Sequence, residues 1–439
     1  MTYAPVSVRA ILVEQIERTR QSSKTDIERL IQASELKLTY LEWQTRTFVE
    51  LRDRERAYVE SLKYIISPIR TLPIELLVEI FRFAINDETH VKDAYRISQI
   101  CADWRKVAHA TLRLWTRPIR VDLGSRRIHG KEQFYAYGLG AWLARSAPLP
   151  LPVSLQLDLP TADPRILGQV IRIAPRIRSL NCSDYFPFSL ISRLARCRLD
   201  CLEELELGLT DVDIPQPPAL TTVPRLRKSS ITIQSAEPHV LVPWAQLTDL
   251  ALDSDSPSII LDILSQCPTL THASICTSGW PGYIAAPMKQ PPLPFSHLHT
   301  LSLDFGYSEH VMPCLGSLST PALEALHLNF VEMQDTMESE EPLTRFLMRS
   351  PNITRLEILS GRYAPASHEL IAVLRHAPRL THLKLAYTYD HSLNDTLLHG
   401  LSYKDNVAPL VPDLHNLVLD SVDEDGFSTN ALEHLFVSR

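Results

Sequence analysis

The sequence predicts an α/β protein: a helical N-terminal part is followed by a solenoid, in which a curved parallel sheet carries helices on its convex side. Three observations predict this fold. Apolar residues recur at helical spacing through the first third of the chain, a Leu-x-x-Leu-x-Leu motif recurs after about residue 170, and prolines stand at a fixed distance before most copies of the motif. At 439 residues the chain is much longer than a typical domain of roughly 100–150 residues, which favours a repeat array.

Composition argues against several classes of function. The net charge of −7 disfavours a nucleic-acid-binding protein, which usually carries a basic stripe. No apolar run approaches the ~20 residues of a membrane span, and no signal peptide is expected. The seven cysteines are irregularly spaced, and Cys197-x-x-x-Cys201 lacks a second pair at zinc-ligand spacing, so neither a metal nor a cofactor is expected. This cysteine usage favours a reducing, intracellular compartment, cytoplasmic or nuclear.

The first 66 residues divide into a short segment, 1–25, which is expected to be mobile, and a long amphipathic helix, 26–66. Thr25-x-x-Glu28 has the pattern of a capping box, and Pro68 predicts the end of the helix, since the residue before a proline disfavours the α region. A heptad frame has eight apolar residues among its twelve core positions, which are Ile27, Leu30, Ser34, Lys37, Leu41, Gln44, Phe48, Leu51, Glu55, Tyr58, Leu62 and Ile65. The pattern fits a coiled coil that mediates self-association, and it equally fits one helix folded against its own chain.

Residues 67–118 predict a compact helical unit. Pro73 suits a first helical turn, and Glu75 favours the positive end of the helix dipole. The first helix has one wide apolar face, formed by Leu76, Leu77, Ile80, Phe81 and Ala84. A second helix, capped by Asp93, has an apolar stripe formed by Ile97, Ile100, Cys101, Trp104, Val107 and Ala108. So short a unit cannot bury this much apolar surface alone, and a neighbour or partner is expected to cover it.

The rest of the chain alternates between helices and strands. Residues 119–169 form a connecting segment, with a helix predicted at 131–146 and a strand over Val153, Leu155 and Leu157. Residues 170–439 are predicted to form a leucine-rich-repeat domain, because ten strand anchors recur at spacings close to the roughly 20–29-residue period of such repeats. The anchors are Ile177, Leu202, Leu226, Leu247, Leu270, Leu298, Leu323, Ile353, Leu380 and Leu414.

Prolines support the repeat. One stands two residues before each of seven anchors: Pro175, Pro224, Pro268, Pro321, Pro351, Pro378 and Pro412. Several of these prolines follow an apolar helix-like segment. Because proline cannot continue a helix interior, they are expected to end the helix at a fixed phase before the next strand. Helix, proline and strand in this order predict the solenoid.

The sequence offers no candidate for reaction chemistry. Gly138-Leu139-Gly140 lacks the third glycine of a phosphate-binding loop, and zinc-protease, nucleophile-elbow and kinase motifs are missing. Histidines such as His299 and His382 fall at strand positions, where a surface or structural role is expected. A non-enzymatic protein is therefore predicted, and an enzyme with a diffuse active site is the alternative from another class.

Residues 68–116 resemble an F-box. The resemblance rests on Leu72-Pro73-x-Glu75-Leu76-Leu77-x-Glu79-Ile80-Phe81, then Ile100-Cys101-Ala102-Asp103-Trp104-Arg105, then Leu114-Trp115. The whole layout resembles the F-box/leucine-rich-repeat proteins expanded in fungi, in which the F-box binds the Skp adaptor of a cullin–RING ubiquitin ligase. The implied adaptor contacts are Leu72, Pro73, Leu76, Leu77, Ile80, Phe81, Ile97, Cys101 and Trp104. The connector from Asn86 to Asp93 departs from the family, since it is longer and more polar than the usual link.

The resemblance implies the substrate-recognition subunit of an SCF-type (Skp–cullin–F-box) ubiquitin ligase, with a protein substrate bound by the repeats. Such a subunit would act by proximity, holding the substrate near a conjugating enzyme bound elsewhere in the complex. The alternative is an F-box/repeat scaffold that binds partners without ubiquitination and oligomerises through residues 26–66. Neither interpretation requires a membrane or a nucleic acid.

The solvent-facing positions between the inward leucines are biased towards acidic residues. Period-two alternation places these positions on the concave side of the sheet, which solenoids commonly use for binding. Of 21 such positions in seven repeats, seven are acidic and two are basic. The candidate substrate-binding residues are Glu206, Asp253, Asp304, His327, Glu357, Lys384 and Asp420. The bias predicts a substrate segment rich in Lys or Arg.

Overall fold

The structure is a computed structural model, and it divides into two compact units, Met1–Ile80 and Phe81–Arg439. The boundary between the units falls within one helix. The structure describes residues 8–20, 23–86, 89–158, 161–186, 188–209, 219–220, 222–233, 242–277, 292–307, 314–332, 341–360, 366–386, 393–403, 409–420 and 426–438.

The first unit is helical. Helices α1 (Val8–Thr19) and α2 (Lys24–Ile65) are followed by a 3₁₀ turn, Pro68–Arg70, and by the first turns of α3 (Ile74–Ala84). Helix α1 lies within the N-terminal segment and is not among the predicted helices.

Helix α2 has the predicted length, but its start differs from the prediction. The N-cap is Ser23, whose side-chain oxygen accepts a hydrogen bond from the backbone N–H of Asp26 at 3.4 Å. The same hydroxyl donates to the Asp26 carboxylate at 2.7 Å, so Thr25 lies inside the helix and is not its cap. The helix ends at Ile65, ahead of Pro68 as predicted. None of its 42 residues has a buried side chain.

The second unit contains the remaining helices and the strands of the described part of the chain. Its α-helices are α4 (His90–Ile100), α5 (Ala102–Ala110), α6 (Glu132–Arg145), α7 (Pro164–Ile173), α8 (Phe188–Ala195), α9 (Pro257–Ser265), α10 (Glu341–Arg349), α11 (Ser367–Leu374), α12 (Asp395–Leu401) and α13 (Thr429–Ser438). Short 3₁₀ helices lie at Leu112–Trp115, Ala174–Arg176 and Trp244–Gln246.

The strands are β1 (Ile119–Gly124), β2 (Leu151–Leu157), β3 (Ile177–Phe186), β4 (Glu204–Leu209), β5 (Lys228–Ile233), β6 (Asp249–Ser254), β7 (His272–Thr277), β8 (Leu293–Pro294), β9 (Thr300–Tyr307), β10 (Leu318–Ser319), β11 (Ala325–Glu332), β12 (Arg355–Ser360), β13 (His382–Ala386) and β14 (Asn416–Asp420). Twelve of them form one parallel sheet in chain order, and β8 pairs with β10 in a separate small sheet. Consecutive helices also pack side by side, as α10 does with α11 and α11 with α12. The arrangement is consistent with an α/β solenoid.

All ten predicted strands are present in the large sheet. Nine anchors lie two residues before the start of their strand, and Ile177 is the first residue of β3. The anchors are between 0% and 6% exposed. Within a strand the side chains alternate, as in β6, where Leu250 and Leu252 are buried and Asp253 is partly exposed. The leucine positions therefore form the core, and the intervening positions form the opposite face of the sheet.

The prolines have a more specific role than the one predicted. The backbone N–H of the anchor donates a hydrogen bond to the carbonyl three residues earlier, and the proline is the residue directly after that carbonyl. This bond is 3.1–3.4 Å long in six of the repeats that contain the proline. The first repeat has the same bond, from Ile177 to Ala174. Each proline thus occupies the second position of a turn, where its fixed φ is favourable. The prolines set the strand phase through this turn, and some also follow the end of a helix.

None of the helices in the described part of the chain is both long and apolar enough to span a membrane.

Candidate functional site

Helix α3 begins where the sequence predicts. Pro73 stands just before Ile74, and its carbonyl accepts a hydrogen bond from the backbone N–H of Leu77 at 3.1 Å. The missing N–H of Pro73 costs nothing here, because the first N–H groups of a helix have no intrahelical partner. Pro73 is exposed, and Leu72 is partly buried.

Helix α3 separates its apolar residues onto two faces. Leu77 and Phe81 are buried, at 6% and 1% exposure. Leu76, Ile80 and Phe83 recur at i, i+4 and i+7 and are 53%, 39% and 88% exposed. We call these three residues the α3 stripe. Leu77 and Phe81, which were expected to contact the adaptor, are therefore interior residues. Phe83 is an exposed apolar residue of the same helix and was not among the predicted contacts.

The predicted second helix is two helices. Helix α4 ends at Ile100, and Cys101 has extended backbone angles, φ −155° and ψ 173°, before α5 begins at Ala102. The Sγ of Cys101 accepts a hydrogen bond from the backbone N–H of Trp104 at 3.5 Å and so caps α5. In the sequence the apolar residues keep the same helical spacing on both sides of Cys101. The break between the two helices is therefore visible only from the cap that Cys101 forms.

Helix α4 also begins earlier than predicted, at His90. Asp93 is not its cap but lies in its first turn, where its carboxylate accepts a hydrogen bond from the Thr89 hydroxyl at 2.5 Å. This hydrogen bond, the largest influence, lowers the pKa of Asp93. Helix α3 ends at Ala84 and α4 begins at His90, so the two helices lie closer in sequence than the connector from Asn86 to Asp93 would suggest.

The three expected adaptor contacts on α4 and α5 differ in exposure. Ile97 is buried at 7% exposure, whereas Cys101 and Trp104 are partly buried. The ring of Trp104 lies against that of Phe81, with centroids 4.9 Å apart and planes at 53°. Ile97 and Phe81 thus support the unit from inside, and Ile100, at 55% exposure, presents a further apolar side chain to solvent.

An aromatic cluster joins these helices to α6. The rings of Trp115 and Trp142 meet edge to face with centroids 4.9 Å apart, and Tyr95 lies 5.7 Å from Trp115. The guanidinium of Arg145 lies 5.0 Å from the Trp115 ring centroid and donates to the Tyr95 hydroxyl at 3.2 Å. The indole N–H of Trp115 donates to the carbonyl of Ala108 at 2.8 Å. Helices α4, α5 and α6 therefore share one core next to the first strands of the sheet.

The seven candidate substrate-binding residues lie on one face of the sheet, in two neighbouring columns. Strand register aligns the first column as Asn181, Glu206, Ser230, Ala251, Ser274, Ser302, His327, Glu357 and Lys384. The second column, two residues further along each strand, contains Asp253, Cys276, Asp304, Asn329 and, at the end of the sheet, Asp420. The structure thus brings together residues that lie far apart in the sequence.

Several of these charges are already paired. Glu357 contacts His327 across the strands, with Nδ1 and Oε2 3.0 Å apart, and it accepts a hydrogen bond from Arg355 at 2.7 Å. Burial alone would raise the pKa of Glu357, but the hydrogen bonds and charges of Arg355 and His327 outweigh it and lower that pKa. Lys384 lies 3.4 Å from Asp420. Fewer carboxylates of this face are therefore available to a ligand than its composition suggests.

Asp253 and Asp304 differ from these paired residues. In the described part of the chain neither has an ion-pair partner, and Cys276 lies between them in register. Burial raises the pKa of Asp253, and so do the charges of Asp255 and Asp304. Burial, with these carboxylates, also raises the pKa of the Cys276 thiol to about 11. Asp253 and Asp304 are therefore available to a cationic ligand. So is Glu206, which accepts a hydrogen bond from the Asn181 side chain and has no ion-pair partner among the described residues.

A groove runs along the same face beside this pair. Its volume is about 460 Å³, and it crosses β3 to β9. Its floor consists of small side chains in the first column, Ser230, Ala251, Ser274 and Ser302. A larger hollow of about 1060 Å³ shares Ser179 and Glu204 with the groove and extends to Arg120. The small floor residues leave room for an extended chain on the sheet.

The described residues contain no group of three or more His, Cys, Asp or Glu side chains placed to hold a metal ion. All seven cysteines are free thiols, and Cys182, Cys267 and Cys314 are buried.

Comparison with known families identifies the helical unit. Residues 69–120 match the family model described as F-box-like. The match covers α3, α4, α5 and the 3₁₀ helix Leu112–Trp115, and so it includes the α3 stripe. No curated protein matches the chain. The chain therefore carries an F-box-like domain, a type of domain that functions in protein interaction, typically by binding Skp-type adaptors.

Proposed function

We propose that this chain is the substrate-recognition subunit of an SCF-type ubiquitin ligase. The observation that carries the proposal is the F-box-like domain at residues 69–120, whose helix α3 presents Leu76, Ile80 and Phe83 to solvent. An exposed apolar stripe on a folded helix is a feature of partner-binding surfaces. The stripe would bind the Skp adaptor, which links the chain to a cullin–RING ligase.

The leucine-rich-repeat-like sheet would bind the substrate. Its polar face offers a groove of about 460 Å³ and, next to it, the unpaired carboxylates of Asp253 and Asp304. A protein segment lying in the groove could place a Lys or Arg side chain against these carboxylates, and charge complementarity of this kind favours encounter and specificity.

The chain itself would supply no catalytic group. It would hold a substrate lysine near a conjugating enzyme bound elsewhere in the complex, so that transfer becomes effectively intramolecular. This role places the protein inside the cell, in the cytoplasm or the nucleus.

Adaptor binding is tested with the Leu76→Ala/Ile80→Ala double variant and the Phe83→Ala single variant. Truncation of a large apolar side chain at an interface hot spot typically costs about 2 kcal/mol or more, which is roughly a thirtyfold loss of affinity. We expect both variants to lose Skp adaptor in a quantitative pull-down while circular dichroism shows an intact fold.

Phe134→Ala is the matched control, because Phe134 is 81% exposed on α6 and lies outside the F-box-like match. This variant should bind adaptor normally. Full adaptor binding by the Leu76→Ala/Ile80→Ala variant would remove the basis of the ligase assignment. If adaptor binds but no cullin co-purifies, the scaffold function without ubiquitination is favoured.

A further inference from the structure

Helix α2 exposes an apolar stripe along its whole length. All 42 residues lack a buried side chain, and the eight apolar residues at core positions of the heptad frame are between 36% and 68% exposed. From Ile27 to Ile65 the stripe is about 57 Å long, at 1.5 Å per residue. A long helix with an apolar stripe is stabilised by covering that stripe with another helix.

The charged residues at core positions of the heptad frame indicate how a second helix would cover the apolar stripe. Lys37 and Glu55 both occupy core positions and both are exposed. In a parallel pair of identical helices each core residue faces its own copy, so Lys37 would face Lys37 and Glu55 would face Glu55. Two like charges in an apolar seam are strongly unfavourable. A parallel arrangement of two copies is therefore disfavoured by the sequence of the stripe itself.

An antiparallel pair has the opposite result. The spacing of the core positions is the same when read from either end, so a twofold axis near Arg46 places the first core residue against the last. The facing residues are then Ile27 with Ile65, Leu30 with Leu62, Ser34 with Tyr58, Lys37 with Glu55, Leu41 with Leu51, and Gln44 with Phe48. The apolar residues at each end of one stripe then face the apolar residues at the opposite end of the other. Lys37 and Glu55 each face a residue of opposite charge.

The flanking positions agree with this register. Ile31 and Val59 lie next to the core positions and are 51% and 46% exposed. Antiparallel pairing brings Ile31 of one copy close to Val59 of the other, which widens the apolar contact near both ends. The charges Lys37 and Glu55 lie between these apolar segments and fix the alignment, because a shift by one heptad would separate them.

We propose that the chain forms an antiparallel homodimer through helix α2, with Lys37 of each copy paired with Glu55 of the other. The occupant of the stripe is a second copy of this chain, and the orientation follows from charge complementarity. An F-box-like domain would follow each end of the paired helices, so that one dimer carries two adaptor-binding surfaces.

The first test measures the dimer dissociation constant of the full chain by sedimentation equilibrium. Lys37→Glu and Glu55→Lys should each weaken the dimer by about tenfold or more, because each single change places like charges together. The combined Lys37→Glu/Glu55→Lys variant should return to within about threefold of wild type. Glu35→Lys, the same charge change at an exposed position outside the core frame, is the control and should have little effect.

The charge swap separates the possible arrangements. In a parallel dimer Lys37→Glu exchanges one like-charge pair for another, so unchanged affinity in both single variants would overturn the antiparallel arrangement. A wild-type chain that stays monomeric at all concentrations would overturn self-association and show that another surface covers the stripe.

The second test uses cysteine cross-linking between full-length chains. Leu30→Cys and Leu62→Cys should form a disulfide-linked dimer only when the two variants are mixed, because Leu30 of one copy faces Leu62 of the other. Cross-linking of Leu30→Cys with itself, above the background of the wild-type chain, would show a parallel arrangement instead.

Discussion

The long helix α2 and the parallel sheet both have regularly spaced leucines, but these leucines are exposed in the helix and buried in the sheet. In β9, Leu301 and Leu303 are 1% and 0% exposed, whereas in α2 Leu41 and Leu51 are 55% and 50% exposed. A strand of the sheet finds its neighbour one repeat away along the same chain. Helix α2 has a stripe of similar regularity and no buried residue. Periodicity thus identifies an apolar face, and the surrounding elements decide whether the chain covers that face itself.

The largest expected effect comes from removing one leucine from each region. Leu303 lies in register between Ile275 and Leu328, so Leu303→Ala should lower the free energy of unfolding by about 2–5 kcal/mol. Leu41→Ala, measured at a concentration where the chain is monomeric, should change it by less than about 0.5 kcal/mol. Urea denaturation followed by circular dichroism measures both. Equal losses would mean that α2 is part of the same core as the sheet.

The same comparison applies to the charges on the sheet face, where some are paired and others are not. The double variant Asp253→Asn/Asp304→Asn should reduce capture of a basic substrate by about tenfold, because it removes two neighbouring carboxylates that have no ion-pair partner among the described residues. Glu357→Gln is the matched control, since Glu357 is already held by His327 and Arg355. Capture is measured by quantitative pull-down at rising salt, which should weaken the wild-type interaction more than the residual binding of the double variant.

If Glu357→Gln reduces capture as much as the double variant does, recognition involves the whole acidic column and not the Asp253–Asp304 pair. If neither variant affects capture, the substrate binds elsewhere on the chain. The adaptor assignment is independent of both outcomes, because the α3 stripe lies outside the sheet.

The sheet was predictable because its signals are local. The recurring leucine motif located all ten strands, including degenerate repeats such as the one at Leu226, and a proline at a fixed phase marked seven of them. The start of helix α3 was predictable for the same reason. The F-box-like unit was recognised from motif order, and residues 69–120 match that family.

Most features that could not be predicted from the sequence depend on contacts between residues that are distant in the chain. Phe81 and Phe83 are both apolar residues of α3, but only packing decides that one is 1% and the other 88% exposed. The pairing of His327 with Glu357 requires the register of β11 and β12, which begin thirty residues apart. The break at Cys101 is an exception, because it depends on a local contact, the cap that the Cys101 side chain forms with the backbone N–H of Trp104, and the apolar period does not reveal this contact.

The smallest expected effect is a difference in pH dependence between Asp253 and Glu357. Burial and the charges of Asp255 and Asp304 raise the pKa of Asp253 in the folded chain. In the unfolded chain the pKa of this carboxyl is about 3.9, so the unfolded chain releases the proton of Asp253 at a lower pH than the folded chain does. Ionisation of Asp253 therefore lowers stability, and the penalty is absent below the unfolded pKa and complete above the folded one. Asp253→Asn should be more stable than wild type at pH 7, by an amount that shrinks as the pH falls towards 4.

Glu357 should show the opposite sign. Its lowered pKa means that the folded state favours the carboxylate, so Glu357→Gln should be less stable than wild type at pH 7, and this loss should diminish as the pH falls through the folded pKa. Urea denaturation from pH 8 down to about pH 3, below the usual carboxyl pKa values, measures both differences. A pH-independent effect of Asp253→Asn would contradict the electrostatic strain assigned to this carboxylate. A gain in stability together with a loss of capture would show that the unpaired charge is maintained for binding at a cost to the fold.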